Sequence, residues 1–141
     1  MKYYVIAGEA SGDLLGSHLM REIKNLDPQA DFCCWGGDLM EAEGGQINKH
    51  YKDLAFMGFW EVATHLRTIL KNLQICKLEI LLYEPDVIIL IDYPGFNMRI
   101  AEFARENNIR VVYYVSPQIW AWKKKRIHKI IRDVDTLLTI L

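Results

Sequence analysis

Residues 85–97 read PDVIILIDYPGFN, and the apolar run at their centre decides the fold. Five consecutive large apolar side chains, most of them β-branched, follow Asp86. A strand with one wet face alternates apolar and polar residues, whereas an unbroken run of this kind is typical of a strand buried on both faces. Residues 86–91 are therefore predicted to form a buried strand of a parallel sheet.

The rest of the chain alternates strand-like and helix-like segments around this run. Short apolar runs predict strands, and longer stretches with apolar residues three or four apart predict helices. Strands are expected at 2–7, 31–35, 86–91, 110–115 and 135–140, and helices at 13–26, 38–43, 59–83, 97–107 and 121–133. This alternation indicates a single Rossmann-like α/β domain over residues 1–141, an open parallel sheet with helices on both faces.

Composition narrows the class of protein. The 141 residues carry a net charge of −1, which fits one globular domain and argues against a nucleic-acid-binding or disordered chain. No apolar run approaches the roughly 20 residues of a membrane-spanning helix, so any membrane contact is expected to be peripheral. Cys33, Cys34 and Cys76 are odd in number and lack zinc spacing, which predicts reduced, buried thiols in a cytoplasmic protein.

The last residues, TLLTIL at 136–141, predict a strand with no closing helix. Because parallel strands are usually covered on both faces, we expect a piece of a longer chain, or the first domain of a longer enzyme.

Three polar loops are expected at the carboxyl edge of the sheet, where open α/β sheets bind ligands. They are GEASGD at 8–13, DYPGFN at 92–97 and SPQIWAWKKKR at 116–126. The first lacks the GxGxxG spacing of a dinucleotide site, and its carboxylates, Glu9 and Asp13, would repel a phosphate. They suit sugar hydroxyls or a cationic partner. Alternatively, the loop is a tight turn capped by Ser11 or Asp13.

Asp92 is the strongest candidate for a catalytic group. It ends the buried strand, and Pro94 and Gly95 shape the turn that presents it. A partly desolvated carboxylate in this place can act as a general base toward an alcohol. The alternative is an acidic cap for the helix predicted to begin near Asn97.

The basic run at 123–126 opens a predicted helix, where cations meet the positive end of the helix dipole and favour an anionic partner. A helical wheel turns Lys123 toward the ligand crevice, with Arg126 at its flank, and these two are candidates for a ligand phosphate. The same run can also be a solvated basic helix.

The wheel sorts the remaining side chains of this helix into two faces. The buried face is predicted to comprise Ile127, Ile130, Ile131 and Val134. Lys125, Lys129 and Arg132 are predicted to point toward water or an acidic membrane surface.

Two aromatic groups are open to two interpretations each. Trp120 and Trp122 fit either the core or a membrane interface. The stretch AFMGFWEV at 55–62 concentrates Phe56, Met57, Phe59 and Trp60, which form either core or an exposed acyl-chain surface.

Five motifs occur together over nearly the whole chain. They are AGEASGDLLG at 7–16, GGDLMEAEG at 36–44, LAFMGFWEV at 54–62, PDVIILIDYPGFN at 85–97 and YVSPQIWAWKKKRI at 114–127. In this order and at this spacing, the chain resembles the N-terminal half of the lipid-A-disaccharide synthases, glycosyltransferase family 19.

The resemblance implies an inverting glycosyltransferase of the two-domain GT-B architecture. Such enzymes transfer 2,3-diacylglucosamine from UDP-2,3-diacylglucosamine to 2,3-diacylglucosamine 1-phosphate (lipid X) in lipid A biosynthesis. The resemblance implies no metal or other cofactor and no nucleic acid. It also implies a peripheral place on the anionic, cytoplasmic face of the inner membrane, and a homodimer is one open arrangement.

The resemblance also assigns residues. Asp92 matches the family's proposed base. We expect substrate contacts at Glu9, Ser11, Asp13, Met57, Gly58, Asn97, Ser116, Gln118, Trp120, Lys123 and Arg126. We expect membrane or acyl-chain contacts at Phe56, Phe59, Trp60 and Trp122.

Two departures from the family matter. Many members read DAPDFN where this chain has DYPGFN, so Gly95 replaces a carboxylate and Asp92 is the one base candidate of the loop. The UDP-binding C-terminal domain is absent from the 141 residues, which alone are expected to be inactive. The competing hypothesis is a free-standing α/β module that binds an anionic lipid or a nucleotide without catalysis. An oxidoreductase fragment is disfavoured by the missing GxGxxG.

Overall fold

The computed structural model describes residues 1–54, 66–115 and 124–139. The strands in these ranges are β1 (Lys2–Ala7), β2 (Asp31–Gly36), β3 (Gln46–His50), β4 (Val87–Ile91), β5 (Arg110–Val115) and β6 (Thr136–Thr139). The helices are α1 (Ala10–Leu26), α2 (Asp38–Ala42), α3 (Leu66–Tyr83), α4 (Pro94–Glu106) and α5 (Lys124–Asp133), with a 3-10 turn at Tyr51–Asp53.

The strands form one sheet in the order β3-β2-β1-β4-β5-β6, and every neighbouring pair is parallel. This is the strand order of the Rossmann fold, so the predicted fold class is confirmed. The order reverses between β1 and β4, which places these two strands at the centre of the sheet.

Each face of the sheet carries its own apolar layer. Alternate residues of β4 face opposite ways: Ile88 and Leu90 pack with α3 and α4, whereas Ile89 and Ile91 pack with α1 and α2. All five residues of β4 are at most 7% exposed. The strand buried on both faces is therefore confirmed, and it anchors both layers.

The sequence prediction missed β3. Its residues, QINKH, include one large apolar side chain, and the strand lies at the sheet edge, where its side chains are exposed or half-buried. Parallel pairing with β2 makes this segment a strand, and no apolar pattern announces it. A search for apolar periodicity misses a polar edge strand, because such a strand buries few side chains and carries no repeating apolar pattern.

Two helices begin earlier than predicted. The first starts at Ala10 instead of residue 13, and α4 starts at Pro94 instead of residue 97. Proline suits the first turn of a helix because its fixed φ is already helical and it has no N–H to leave unpaired.

The predicted buried face of α5 is partly wrong. Ile130 is 5% exposed and Val134 packs against the core, but Ile131 is 73% exposed. Adjacent helical residues point about 100° apart, and the inward position next to Ile130 is taken by Asp133, which is 5% exposed. The side chain of Ile127 lies outside the described part of the structure.

Arg132 is exposed, as predicted, and it also binds a buried carboxylate. Its Nε and terminal nitrogen each donate to the carboxylate of Asp133 at 2.7 Å, and Arg105 of α4 donates to the same carboxylate at 2.7 Å. A buried carboxylate needs such partners, and the two exposed arginines supply them, so that Arg105 links α4 to α5. Lys129 is exposed, as predicted.

The cysteines are free and buried, as predicted. Burial raises the pKa of Cys33 to about 11 and raises the pKa values of Cys34 and Cys76 as well. All three are therefore protonated, unreactive thiols at neutral pH. Among the described helices, none combines the length and the apolar character that crossing a bilayer requires.

The linkage through Asp133 yields a stability prediction. Asp133→Ala should lower the free energy of unfolding by roughly 1–3 kcal/mol, because two arginines lose a buried, charged acceptor. Urea unfolding at pH 7 measures the effect, with the exposed Asp53→Ala as the control. An equal, small effect of both substitutions would contradict the prediction.

The same linkage should depend on pH. Hydrogen bonds from Arg132, together with Arg105, hold the pKa of Asp133 below its usual range. The unfolded value is about 3.9, so the stabilisation is complete above about pH 5 and is lost as the pH falls through the folded-state pKa. The gap between wild type and Asp133→Ala should therefore narrow in acid.

Candidate active site at the carboxyl edge of the sheet

The candidate site lies where the strand order reverses. β1 and β4 are hydrogen-bonded neighbours, yet the helices that follow them cover opposite faces of the sheet. The loops that begin at Gly8 and Asp92 therefore leave the sheet in opposite directions. Divergence of this kind creates the crevice in which open α/β proteins bind ligands.

The loop after β4 has a strained backbone. Asp92 has a φ of 43° and Tyr93 a φ of 51°, both in the left-handed region that non-glycine residues rarely adopt. Such residues cost roughly 1–3 kcal/mol each and persist only where the surroundings hold them. Two in succession, directly after the central strand, mark this turn as a place where geometry matters more than local stability.

Four hydrogen bonds hold the turn. The N–H of Asp92 donates to the carbonyl of Tyr114 at 2.8 Å. The carbonyl of Asp92 accepts from Nδ2 of Asn97 at 2.9 Å and from the hydroxyl of Tyr113 at 2.8 Å. The N–H of Asn97 donates to the carbonyl of Tyr93 at 2.9 Å and so closes the first turn of α4.

Gly8 allows the two central loops to meet. A Cβ atom at this position would stand 2.6 Å from Cγ and Cδ2 of the Tyr93 ring, closer than side-chain carbons approach one another. The ring also stacks on Phe96, with centroids 5.3 Å apart. Burial raises the pKa of Tyr93, so its phenol stays neutral at physiological pH.

Asp92 is half-buried at the end of β4, at the predicted place. The alternative interpretation, an acidic cap for α4, does not describe this geometry, because the N-cap residue of α4 is Tyr93 and the cap makes no side-chain hydrogen bond. The general-base role stays a prediction.

Asp13 is 3% exposed, and its carboxylate points at the start of α2. It accepts hydrogen bonds from the N–H groups of Gly37 at 2.9 Å, Leu39 at 3.1 Å and Met40 at 3.0 Å. A carboxylate with three backbone donors stabilises the amino end of that helix. The geometry gives Asp13 a structural role, and the substrate contact expected of it stays a prediction.

Glu9 and Ser11 are exposed at the crevice side of the same loop. Glu9 is the N-cap residue of α1 and its side chain makes no capping hydrogen bond, while Ser11 and Asp13 lie inside the helix, so neither of these two caps the turn. Instead, the hydroxyl of Ser11 donates to Oε1 of Glu9 at 3.0 Å. The two carboxylates of the loop therefore have separate surroundings, one buried and one exposed.

The structure brings His50 and Asp38 to the same edge, and the sequence pointed to neither. Nε2 of His50 lies 3.1 Å from Oδ1 of Asp38, and Nδ1 accepts from the N–H of Lys52 at 3.2 Å. Because Nδ1 accepts a hydrogen bond, the N–H of the neutral imidazole is at Nε2, which donates a hydrogen bond to Asp38. No motif could have found this pair, because its position depends on β3.

A groove of about 250 Å³ runs between α4 and α5 beside the turn. It is lined by Pro94, Gly95, Met98, Arg99, Glu102 and Lys129. A Cβ atom at Gly95 would meet nothing within 4 Å, so there is open space beside this part of the lining.

Comparison with known proteins shows the family. The model of the family described as Lipid-A-disaccharide synthetase (LpxB) matches residues 3–141. The chain belongs to this family.

Curated relatives carry the same name at substantial identity. Lipid-A-disaccharide synthases of Geobacter metallireducens and of Pseudomonas putida (strain W619) are 43% and 46% identical to it over 136 and 137 residues. That of Chromohalobacter salexigens is 42% identical over 141 residues. These alignments cover 96–100% of this chain but only 35–36% of the relatives, so the chain spans about a third of their length.

Solved structures show the same fold at low identity. The UDP-GlcNAc 2-epimerase of Neisseria meningitidis, bound to UDP-GlcNAc, superimposes with a TM-score of 0.63 at 8% identity, over 99% of this chain and 40% of that one. A putative UDP-N-acetylglucosamine 2-epimerase of Listeria monocytogenes gives a TM-score of 0.61 at 8% identity, over 99% and 39%. At this identity the likeness concerns the fold alone.

Several residues that the LpxB resemblance implies lie outside the described residues. They are Phe56, Met57, Gly58, Phe59, Trp60, Ser116, Gln118, Trp120, Trp122 and Lys123. Arg126 lies in α5, but its side chain is not described. Of the implied set, the structure brings Glu9, Ser11, Asp92 and Asn97 to the carboxyl edge.

Within residues 1–54, 66–115 and 124–139, no group of three or more histidine, cysteine or acidic side chains is arranged to hold a metal ion.

The contact between Gly8 and Tyr93 can be tested by a double-mutant cycle. Gly8→Ala should destabilise the protein by about 1–3 kcal/mol, because the added methyl overlaps the tyrosine ring. Tyr93→Ala removes that ring, so Gly8→Ala should cost much less in its background. Urea unfolding of the four proteins measures the coupling. Additive effects would show that the two residues do not meet.

Proposed function

We propose that this chain is the acceptor-side, N-terminal domain of an inverting lipid-A-disaccharide synthase. The reaction transfers 2,3-diacylglucosamine from UDP-2,3-diacylglucosamine to lipid X, which yields the lipid A disaccharide 1-phosphate and UDP. One observation carries the proposal: in a chain of the LpxB family, a carboxylate ends the central strand on a strained turn at the switch point of the sheet.

Asp92 acts as the general base in the proposed step. It takes the proton from the 6-hydroxyl of lipid X while that oxygen attacks the anomeric carbon of the donor sugar. The new bond between the two sugars forms as the bond to UDP breaks, and UDP leaves with the electron pair. Attack from the face opposite UDP inverts the anomeric centre, and the second domain, which binds UDP, stabilises the leaving group.

The exposed pair Glu9 and Ser11 suits the hydroxyl groups of a sugar. Carboxylate and hydroxyl oxygens accept and donate in the pattern that sugars require, and the pair lies on the loop next to Asp92. Among the other assigned contacts, Ser116, Gln118, Trp120, Lys123 and Arg126 follow β5, the next strand at the same edge. Lys123 with Arg126 is assigned to the 1-phosphate of lipid X.

The base assignment predicts loss of activity without loss of the fold. In the full-length protein that carries this chain, Asp92→Asn should lower kcat by about 100-fold or more, because the amide cannot take the proton. Transfer to lipid X is assayed by release of UDP. Asp53→Asn, an exposed aspartate of the 3-10 turn, serves as the control. Turnover by Asp92→Asn at the rate of the control would exclude Asp92 as the base.

We further propose peripheral contact with the anionic, cytoplasmic face of the inner membrane. The outer face of α3 exposes large apolar side chains, among them Leu66, Leu70, Leu78 and Leu82, with Leu82 at 85% exposed. The exposed charges of α3 beside them, Arg67 and Lys71, are cations. Apolar residues flanked by cations suit an anionic bilayer surface.

The acidic residue of α3 is turned away from that face. Glu79 accepts from Nε1 of Trp35 at 3.1 Å and from Nδ2 of Asn48 at 2.7 Å, both in the sheet. Within residues 66–83, therefore, no acidic side chain lies on the outer face of the helix, and the exposed Glu84 follows directly after it. A homodimer through the same face is the alternative arrangement.

Membrane contact predicts a specific loss of vesicle binding. The double variant Leu78→Ser/Leu82→Ser should bind vesicles of phosphatidylglycerol and phosphatidylethanolamine at least about tenfold more weakly than wild type. The reason is that both apolar side chains are lost from the bilayer interface. Leu26→Ser is the matched control, since Leu26 is an 89% exposed leucine on α1.

Binding is measured by co-sedimentation at low and high salt. Salt should weaken binding of both the wild type and the Leu26→Ser control, because Arg67 and Lys71 act through charge. Equal binding by the two leucine variants would contradict contact through α3.

A further inference from the structure

Asn97 makes an unusual set of contacts for a residue expected to touch substrate. It is 0% exposed, and its Nδ2 donates to two backbone carbonyls, those of Asp92 at 2.9 Å and Ile91 at 3.3 Å. Its Oδ1 is buried and has no hydrogen-bond partner in the described structure. Exchanging the oxygen and nitrogen would turn the oxygen toward two carbonyl oxygens, so the observed orientation is the favourable one.

The contrast between the two ends of the Asn97 amide indicates its role, because the nitrogen makes two hydrogen bonds and the oxygen makes none. A buried polar atom without a partner is unfavourable, and most proteins avoid it. Here Nδ2 of the same amide donates to the backbone carbonyls of two consecutive residues, Ile91 and Asp92. The residue therefore serves the shape of the turn and is too buried to contact a sugar.

Tyr113 holds the same peptide from the neighbouring strand. Its ring is 0% exposed in β5, and its hydroxyl reaches the carbonyl of Asp92 at 2.8 Å. The next residue, Tyr114, accepts from the N–H of Asp92 at 2.8 Å. Both polar groups of the Asp92 backbone are thus bonded to β5, and Asn97 adds a third bond from α4.

We propose that Asn97 and Tyr113 are positioning residues that keep Asp92 and Tyr93 in the left-handed conformation and so aim the Asp92 carboxylate into the crevice. This inference rests on the proposed function, in which that carboxylate is the base. Without the two donors, the turn can relax to ordinary backbone angles, and the carboxylate moves with it. Proton transfer needs a separation of about 2.6–3.2 Å, so a small rotation interrupts it.

Tyr113→Phe tests the inference with little change in packing. In the full-length protein that carries this chain, kcat should fall about 10- to 100-fold, because a base displaced by about 1 Å loses that much. The Michaelis constant for UDP-2,3-diacylglucosamine should stay within about twofold of wild type, since the turn does not bind UDP.

Tyr4→Phe is the matched control. Tyr4 is also 0% exposed, its side chain lies in the same apolar layer, and its hydroxyl contacts Sγ of Cys76 at 3.7 Å, away from the turn. It should keep wild-type kcat, and both variants should unfold at similar urea concentrations. An equal loss of kcat in both, or wild-type kcat in Tyr113→Phe, would overturn the inference.

Asn97→Ala gives a second readout that does not depend on activity. The backbone carbon chemical shifts of Asp92 and Tyr93 report φ, and they should leave the left-handed range in this variant while the shifts of β1 stay unchanged. Unchanged shifts at Asp92 and Tyr93 would overturn the role of Asn97.

The failures of the two proposals are distinguishable. If Asp92→Asn remains active, the base assignment fails and the positioning role falls with it. If Asp92→Asn is inactive while Tyr113→Phe turns over like wild type, the positioning role alone is overturned.

Discussion

The parallel pairing of β1 with β4 is the constraint on which the rest of the structure depends. It joins two strands that are far apart in sequence, in a register that sets Val5 beside Ile89 and Ala7 beside Ile91. Since each strand is buried on both faces, the pair can exist only between two layers of helices. Placing α1 on one face and α4 on the other then opens the crevice at the ends of the same two strands.

The strained turn after β4 illustrates how such a fold stabilises an unfavourable local conformation. Two left-handed residues in a row would not persist in an isolated peptide. They persist here because β5 binds the backbone of Asp92, α4 begins within the turn, and the Tyr93 ring occupies the space left by Gly8. Each of these contacts comes from a different element, so the turn is a property of the assembled sheet.

The acidic residues at or near this edge have different surroundings. Asp13 is bound by three backbone amides of the neighbouring loop and helix. Glu9 is exposed beside Ser11, and Asp92 is half-buried. A carboxylate bound by three backbone amides stabilises the fold, whereas the exposed carboxylate of Glu9 faces solvent. The chain belongs to the LpxB family and spans about a third of the length of its relatives.

The amino-acid sequence by itself determined the α/β class, the buried strand, the location of Asp92 and the family, because apolar runs and motif spacing are local properties of the chain. It missed β3 and misplaced Ile131, because a polar edge strand and the inward-facing carboxylate of Asp133 are defined by their neighbours and not by periodicity. Only the tertiary structure decided that Asp13 holds α2 and that Asn97 holds the turn, since each bonds to backbone groups that folding brings to it. It also brought His50 to Asp38, as a side chain's neighbours are set by the packing of whole elements.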